Sequence, residues 1–267
     1  MMFKKQSTLA IIAFCMSLLL VSSCAEQYPQ MPKAIVDLSP TIGEDFPLRS
    51  HGAAMLTAFE LRDSTKIEHI VTEEPFYVAM SYVTLWNHVG SHYDPPNHVI
   101  KGATSIEQVP LDEFYGRAKV FDFRAKGKDE PLLRSDFENK GIEAGDVVIA
   151  FVGYTPPTEP DELPSYAYLS GEAAEYLATI PVKAFATDMP ALMGFKAFFQ
   201  LFQQEGLRGS ENFLPEHYAF LSRGIPAIEG LVNLERIVGE DNIVFAGFPL
   251  KIQGGNGGPL RAAALVY

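Results

Sequence analysis

Cysteine is nearly absent from this 267-residue chain, with only Cys15 and Cys24, and both lie near the N-terminus. The body beyond residue 24 therefore has no disulfide, no thiol nucleophile and no Cys-rich zinc shell. Basic charge is also short: 21 Lys and Arg face 33 Asp and Glu, a net charge of −12. That balance excludes nucleic acid and the electrostatic capture of anionic lipid as the basis of function. No apolar run is long. The longest, Leu9 to Val21, has about thirteen residues, against the roughly twenty that a spanning helix needs. No internal repeat, charge block or low-complexity tract divides the chain, so about 240 residues remain for one large α/β domain.

The N-terminus carries an address. Lys4-Lys5, the short apolar run and Ser22-Ser23-Cys24 form a secretory signal over residues 1–23. Val21-Ser22-Ser23-Cys24 resembles a bacterial lipobox, which implies lipidation of Cys24 and an extracytoplasmic protein anchored to a bacterial membrane. Loss of residues 1–23 removes two lysines and no acids, taking the net charge from −12 to −14. Any membrane attachment then comes from lipid, not from a basic patch. Residues 24–32 read as a lipidated tether, and 33–267 as the functional domain.

Histidine is scarce as well, yet three of the six fall within eleven residues, His88 to His98. Imidazole and carboxylate are ligands that zinc and manganese favour, and His88, His92 and Asp94 stand at i, i+4 and i+6. On an unbroken strand the two histidine Cα atoms would lie roughly 13 Å apart, at about 3.3 Å per residue. One ion cannot span that, so the chain must turn between them. Gly90 and Ser91 sit where it would turn, and Pro95-Pro96 argues against a helix. The expected arrangement is a strand ending near Trp86 and a bent loop that gathers three ligands. An N/O ligand set without cysteine favours a catalytic over a structural ion.

Along the body, strands are expected at Ala34–Ser39, Phe76–Trp86, Lys119–Phe123, Asp146–Val152, Val182–Ala186, Ala227–Leu231, Ile243–Ile252 and Arg261–Val266. Helices are expected at Gly171–Ala178, Leu192–Glu205 and Glu216–Ser222, the second with Phe195, Phe198, Phe199 and Phe202 on one face. Strands and helices interleave without a regular βαβ rhythm, which predicts a mixed α/β domain and not a doubly wound sheet. Tyr154–Pro164, with four prolines and three acids, is a surface connection or a rim over a site. Gly254–Gly258 lacks the lysine and following helix of a phosphate loop, and reads as a hairpin turn.

His88-x-Gly90-Ser91-His92-x-Asp94-x-Pro96-x-His98 resembles the HxGTHxDxPxH signature of the metal-dependent cyclase family, which includes bacterial kynurenine formamidase (arylformamidase) and isatin hydrolase. Asp37-Leu38-Ser39 is similar to that family's opening DLS. Thr187-Asp188 and the helix before it resemble its TD segment, Ile228–Leu231 with Asn233-Leu234 its IEGL-NL stretch, and Gly258–Arg261 its closing Pro-x-Arg. His217 precedes Glu229 by twelve residues, as the distal ligands do in the formamidase branch.

The resemblance implies a cyclase-like swivelling β/β/α fold in a single mixed-sheet domain. It implies one or two divalent ions per chain, zinc or manganese. His88, His92 and Asp94 would hold the first, and His217 and Glu229 the second, with Asp94 bridging. His98 matches the family's catalytic histidine. The implied activity is hydrolysis of an amide, N-formyl aryl or cyclic, by water activated at the metal, in a homo-oligomer acting on a small molecule. The alternative is an extracytoplasmic metal- or ligand-binding lipoprotein that keeps the fold without turnover. His51 and His69 match no position. Ser91 replaces the threonine of the signature. Asp188–Met193 and the loop after Tyr154 also depart from the family pattern, in regions expected to shape the substrate pocket.

Overall fold

Alternation decides which side of the sheet each residue serves, and it builds two cores from one set of strands. The computed structural model describes residues 30–44, 46, 65–159, 162–196, 198 and 213–267. The signal over 1–23, Cys24 and His51 lie outside the described residues, as does the helix expected up to Glu205 beyond Phe198. In chain order the strands are β1 (Ala34–Asp37), β2 (Lys66–Thr72), β3 (Val78–Thr84), β4 (His92–Asp94), β5 (Tyr115–Asp122), β6 (Pro131–Leu132) and β7 (Val147–Phe151). Then follow β8 (Tyr168–Leu169), β9 (Ala184–Thr187), β10 (Ala227–Glu229), β11 (Ile243–Pro249) and β12 (Gly258–Val266). The helices are α1 (Arg134–Phe137), α2 (Gly171–Thr179) and α3 (Pro215–Leu221).

The main sheet runs β1-β12-β11-β5-β7-β9-β10-β4, and β4 also pairs with β12. One edge of β12 is shared. Its Ala263–Val266 half takes β1, and Gly258-Pro259 takes Tyr93 and His92 of β4. The sheet thereby closes into a barrel, which removes the free edges that invite mispairing. The β5–β7, β7–β9 and β9–β10 pairs are parallel, and the others in this sheet are antiparallel. A mixed α/β domain is thus what forms, as the irregular rhythm of the sequence predicts.

All five residues of β7 are buried, because both faces of that strand are covered. Val147, Ile149 and Phe151 point into the barrel with Ala184, Ala186, Phe245 and Ala264. Val148 and Ala150 point out and pack beneath the helices, with Phe185, Leu177 and Phe220. Ser170 starts α2 by accepting the Ala173 N–H at 3.1 Å. Burying a side chain such as Leu177, fully enclosed here, contributes about 2 kcal/mol by transfer alone. Outside the barrel, β2 and β3 form a separate two-stranded ribbon, and β6 and β8 a second small pair. The sequence reading gave β3 but not β2, whose charges break the apolar alternation.

Candidate metal centre

Tyr93 of β4 faces the barrel interior, so its neighbours His92 and Asp94 face out, under the helices. β4 pairs antiparallel with β10, and the register sets His92 opposite Glu229 and Asp94 opposite Ala227. The outer face of this pair therefore presents one imidazole and two carboxylates. Helix α3 closes over it. Phe220 stacks on Phe185 of β9 with centroids 5.3 Å apart, and His217, one turn earlier on the same helical face, is aimed at the carboxylates.

The turn expected at Gly90 is present. β3 ends at Thr84, Gly90 adopts φ +61°, and the chain re-enters the sheet at His92. The ring centroids of His88 and His92 come within 5.1 Å. One detail differs from expectation: His92–Asp94 is itself a strand, recruited by β10 and β12 and not left as loop. His98 follows on a 3-10 turn, Pro96–His98. Its ring lies 4.4 Å from that of His88 and 5.6 Å from that of His217, centroid to centroid.

His88, His92, Asp94, His217 and Glu229 are all buried, and His98 is half-buried. His88 Nδ1 lies 2.8 Å from Asp94 Oδ1, and His92 Nε2 lies 3.6 Å from the same oxygen and 3.3 Å from Glu229 Oε2. His217 Nε2 is 3.2 Å from Glu229 Oε1 and 3.8 Å from Asp94 Oδ2. His92 is oriented by donating from Nδ1 to the Gly90 carbonyl at 3.0 Å, which leaves Nε2 for the cluster. Glu229 Oε1 also accepts the Leu192 N–H at 2.9 Å. His88, His92 and Asp94 can each offer one atom within 4.8 Å of the others, and so can Asp94, His98 and His217. Among the described residues the structure thus clusters His88, His92, Asp94, His98, His217 and Glu229; His98 joins a ligand-range group, whereas Glu229 falls in neither and meets His92 and His217 instead. His69 is not among them; it faces Ser81 across the ribbon at 2.9 Å.

The electrostatics ask for positive charge. Burial alone would raise the Asp94 pKa, but the imidazoles of His98, His88 and His92 hold it well below the usual carboxylate range. Burial also opposes a low value at Glu229, yet bonds from His217 and His92 bring it down to about 2. His92 is pulled down by burial and then lifted to about 9 by Asp94 and Glu229. His98 behaves differently: burial is its largest influence and lowers it to about 4, so its ring is neutral at neutral pH. Among the described residues, Asp94 Oδ2 is buried and accepts no hydrogen bond, and Oδ1 has only the His88 Nδ1 within 3 Å. Such an oxygen costs about 1–3 kcal/mol or more unless a cation meets it. A divalent ion held by imidazole and carboxylate fits this donor set.

A cavity of about 290 Å³ opens onto the cluster. Its walls are largely apolar: Trp86, Pro190, Ala191, Met193, Phe198 and Leu214, with Asn87 and Asn256 as polar members. The Trp86 ring lies 5.4 Å from that of His88. A neighbouring cavity of about 420 Å³ includes Phe46, Tyr154, Pro156 and Asp188 but no histidine. Asp188 accepts the Val152 and Tyr154 N–H groups at 2.9 and 2.8 Å, and burial lifts its pKa to about 6. Both segments that depart from the family pattern therefore line cavities. Trp86, Asn87 and Asn256 escaped the sequence reading. Trp86 closes an apolar strand like any core residue, and Asn256 sits in a glycine-rich turn whose only visible role is reversal.

A profile of the Cyclase family matches residues 36–192, more than half of the chain. Kynurenine formamidase of Salinibacter ruber is 28% identical over 191 residues, covering 71% of this chain and 81% of that protein. Isatin hydrolase of Roseibium aggregatum is 25% identical over 259 residues, covering 87% and 91%. An isatin hydrolase crystal structure, bound to the product analogue thioisatinate, superposes with a TM-score of 0.69 at 19% identity, covering 97% of this chain and 99% of that one.

Proposed function

Because the chain belongs to the Cyclase family, we propose that it is a metal-dependent amidohydrolase, acting on an N-formyl aryl amide or a cyclic amide. The observation that carries this reading is Asp94: a buried carboxylate whose Oδ2 has no hydrogen-bond donor among the described residues and whose Oδ1 meets only imidazole nitrogens, at the floor of an apolar cavity. Curated relatives named kynurenine formamidase and isatin hydrolase support the amide class. His88, His92 and Asp94 would hold one zinc or manganese ion, and Asp94, His217 and Glu229 a second. Bound there, a divalent ion supplies an acidified water and polarises a carbonyl.

The remaining work falls to the chain. Trp86, Met193 and Phe198 offer a flat apolar berth for an aryl ring. The pocket wall around His98 keeps its ring neutral, so it can take a proton from water and return it to the departing nitrogen. Asn87, which donates to Asn256 Oδ1 at 2.7 Å, and Asn256 supply the polar edge. The test is a panel of N-formyl anilines, isatins, cyclic imides and lactones offered to purified, metal-loaded protein. Turnover of one class, lost with chelator and with His98→Ala, supports the reading. Metal binding without any turnover leaves the ligand-binding lipoprotein in its place. The N-terminal signal and Cys24 support a lipid-anchored, extracytoplasmic location. That location fails if wild-type protein is wholly soluble while Cys24→Ala behaves identically.

A further inference from the structure

One backbone hydrogen bond joins the wall of the cavity to the metal centre. Leu192 lies between Ala191 and Met193, both of which line the cavity, and its N–H donates to Glu229 Oε1 at 2.9 Å. The same oxygen lies 3.2 Å from His217 Nε2. A second bond ties the two segments together, from the Gly230 N–H to the Met189 carbonyl at 2.9 Å. Groups that bond a ligand from outside a metal centre set its orientation, and with it the affinity for the ion. The angle of the Leu192 N–H therefore belongs to the metal centre, although Leu192 itself offers no ligand.

Residues 166–169 grip this segment in succession. Leu169 donates its N–H to the Leu192 carbonyl at 2.9 Å, and the Tyr166 hydroxyl donates to the Met193 carbonyl at 2.9 Å. The Tyr168 ring lies so close to Gly194 that a Cβ there would come within 2.7 Å of its Cδ1. Peptide planes are rigid, so bonds to successive carbonyls restrict the plane that carries the Leu192 N–H. Gly194 has no side chain to brake rotation after Met193, and the Tyr166 bond supplies that restraint. Tyr166 is buried, with the rings of Tyr154 and Phe195 edge-on at 5.2 and 6.0 Å. Burial pushes its hydroxyl well above the ordinary tyrosine range, so it remains a donor at neutral pH. From this arrangement we infer that Tyr166 is a positioning residue for the metal centre: its hydroxyl, through the Met193 carbonyl, keeps the Leu192 N–H on Glu229. The inference rests on the metal reading above and adds to it a residue outside both the ligand groups and the cavity lining.

Zinc binding by the full chain tests this, measured by competition with a chromophoric chelator on wild type, Tyr166→Phe, Glu229→Gln and the double variant. Tyr166→Phe keeps the ring and removes only the hydroxyl. Its zinc dissociation constant should rise by about tenfold, the low end of what a disturbed outer partner costs. The zinc that Glu229→Gln still binds should be indifferent to the same change, because both substitutions act on one path. Equal weakening on the two backgrounds overturns the inference, since the hydroxyl would then serve the fold at large. An unchanged constant in Tyr166→Phe also overturns it, and leaves the metal reading standing if wild type binds zinc. A wild type with no specific zinc site overturns both. Hydrogen exchange gives a second reading on unaltered protein: the Leu192 amide should exchange more slowly once zinc is bound. An amide indifferent to zinc overturns the inference even if the variant fails to fold.

Discussion

A methyl group on Gly230 would sit 2.3 Å from the carbonyl oxygen of Gly90, the oxygen that also accepts the His92 Nδ1 hydrogen. Both glycines have positive φ, +61° at Gly90 and +70° at Gly230. Ser91 Oγ reaches across the same contact to the Gly230 and Leu38 carbonyls, at 2.9 and 3.2 Å. The segment carrying His92 and the segment carrying Glu229 thus touch backbone to backbone, with no room for a side chain. Gly230→Ala should cost about 3 kcal/mol or more, from clash and left-handed strain together. Chemical denaturation reads the loss, and metal content should fall with it. A loss below about 1 kcal/mol would mean the two segments can part cheaply.

Gly257 makes a milder version of the same approach. A Cβ there would lie 2.7 Å from His88 Nε2, and Asn87 holds the turn down by donating to Asn256 Oδ1 at 2.7 Å and to the Gly257 carbonyl at 3.3 Å. Gly257→Ala should tilt the His88 ring without unfolding the barrel. Metal affinity should drop by about 10–100-fold, the usual effect of a disturbed ligand orientation, while the melting point hardly moves. Equal losses of affinity and stability would instead mark Gly257 as a folding residue.

Glu229 and His98 should separate in metal analysis. If Asp94 bridges two ions, Glu229→Gln lowers stoichiometry from two to about one with the fold intact. Asp94→Asn weakens both sites, because two nearby cations lose the charge that screens them from each other. His98→Ala should leave metal content unchanged and cut turnover by about 10²–10⁴-fold. Since His98 also lies in ligand range of Asp94 and His217, metal loss in His98→Ala equal to that in Glu229→Gln would make it a ligand. A wild-type stoichiometry of one, unchanged in Glu229→Gln, would indicate a single-ion enzyme.

What the sequence disclosed was what local spacing encodes. His88, His92 and Asp94 could be read because a four-residue gap across Gly90 has few geometric solutions. His217 and Glu229 were found only through resemblance, since their meeting depends on α3 seating Phe220 against Phe185. Closure of the barrel was not legible: it rests on two residues of β12 pairing with β4 some 165 positions earlier, Gly258 with Tyr93 and Pro259 with His92. Nor was β2, where Lys66, Glu68 and His69 interrupt the apolar pattern.

The two ends of the family pattern meet in one ion pair, and it sets a pH dependence. Asp37 of the opening motif receives Arg261 of the closing motif through Nε at 2.8 Å and an Nη2 at 2.6 Å. The Arg261 guanidinium holds the Asp37 carboxyl below its ordinary value; partial burial opposes it, and the Ser39 N–H assists. A carboxylate with a depressed folded pKa binds fewer protons folded than unfolded between the two values, so its contribution is full above the unfolded pKa, near 3.9. The contribution disappears as pH falls through the folded pKa. Arg261 is 79% exposed and Asp37 43%, so water and salt screen the pair and the effect should be small. Asp37→Asn keeps an oxygen for the Ser39 N–H and removes only the charge. Its stability deficit against wild type should be constant from about pH 8 down to about pH 5, then shrink toward about pH 3.5, and diminish in high salt. Denaturant melts at these pH values check it. A deficit that widens on acidification would reverse the sign and show that Asp37 is strained, not stabilised, by its partner.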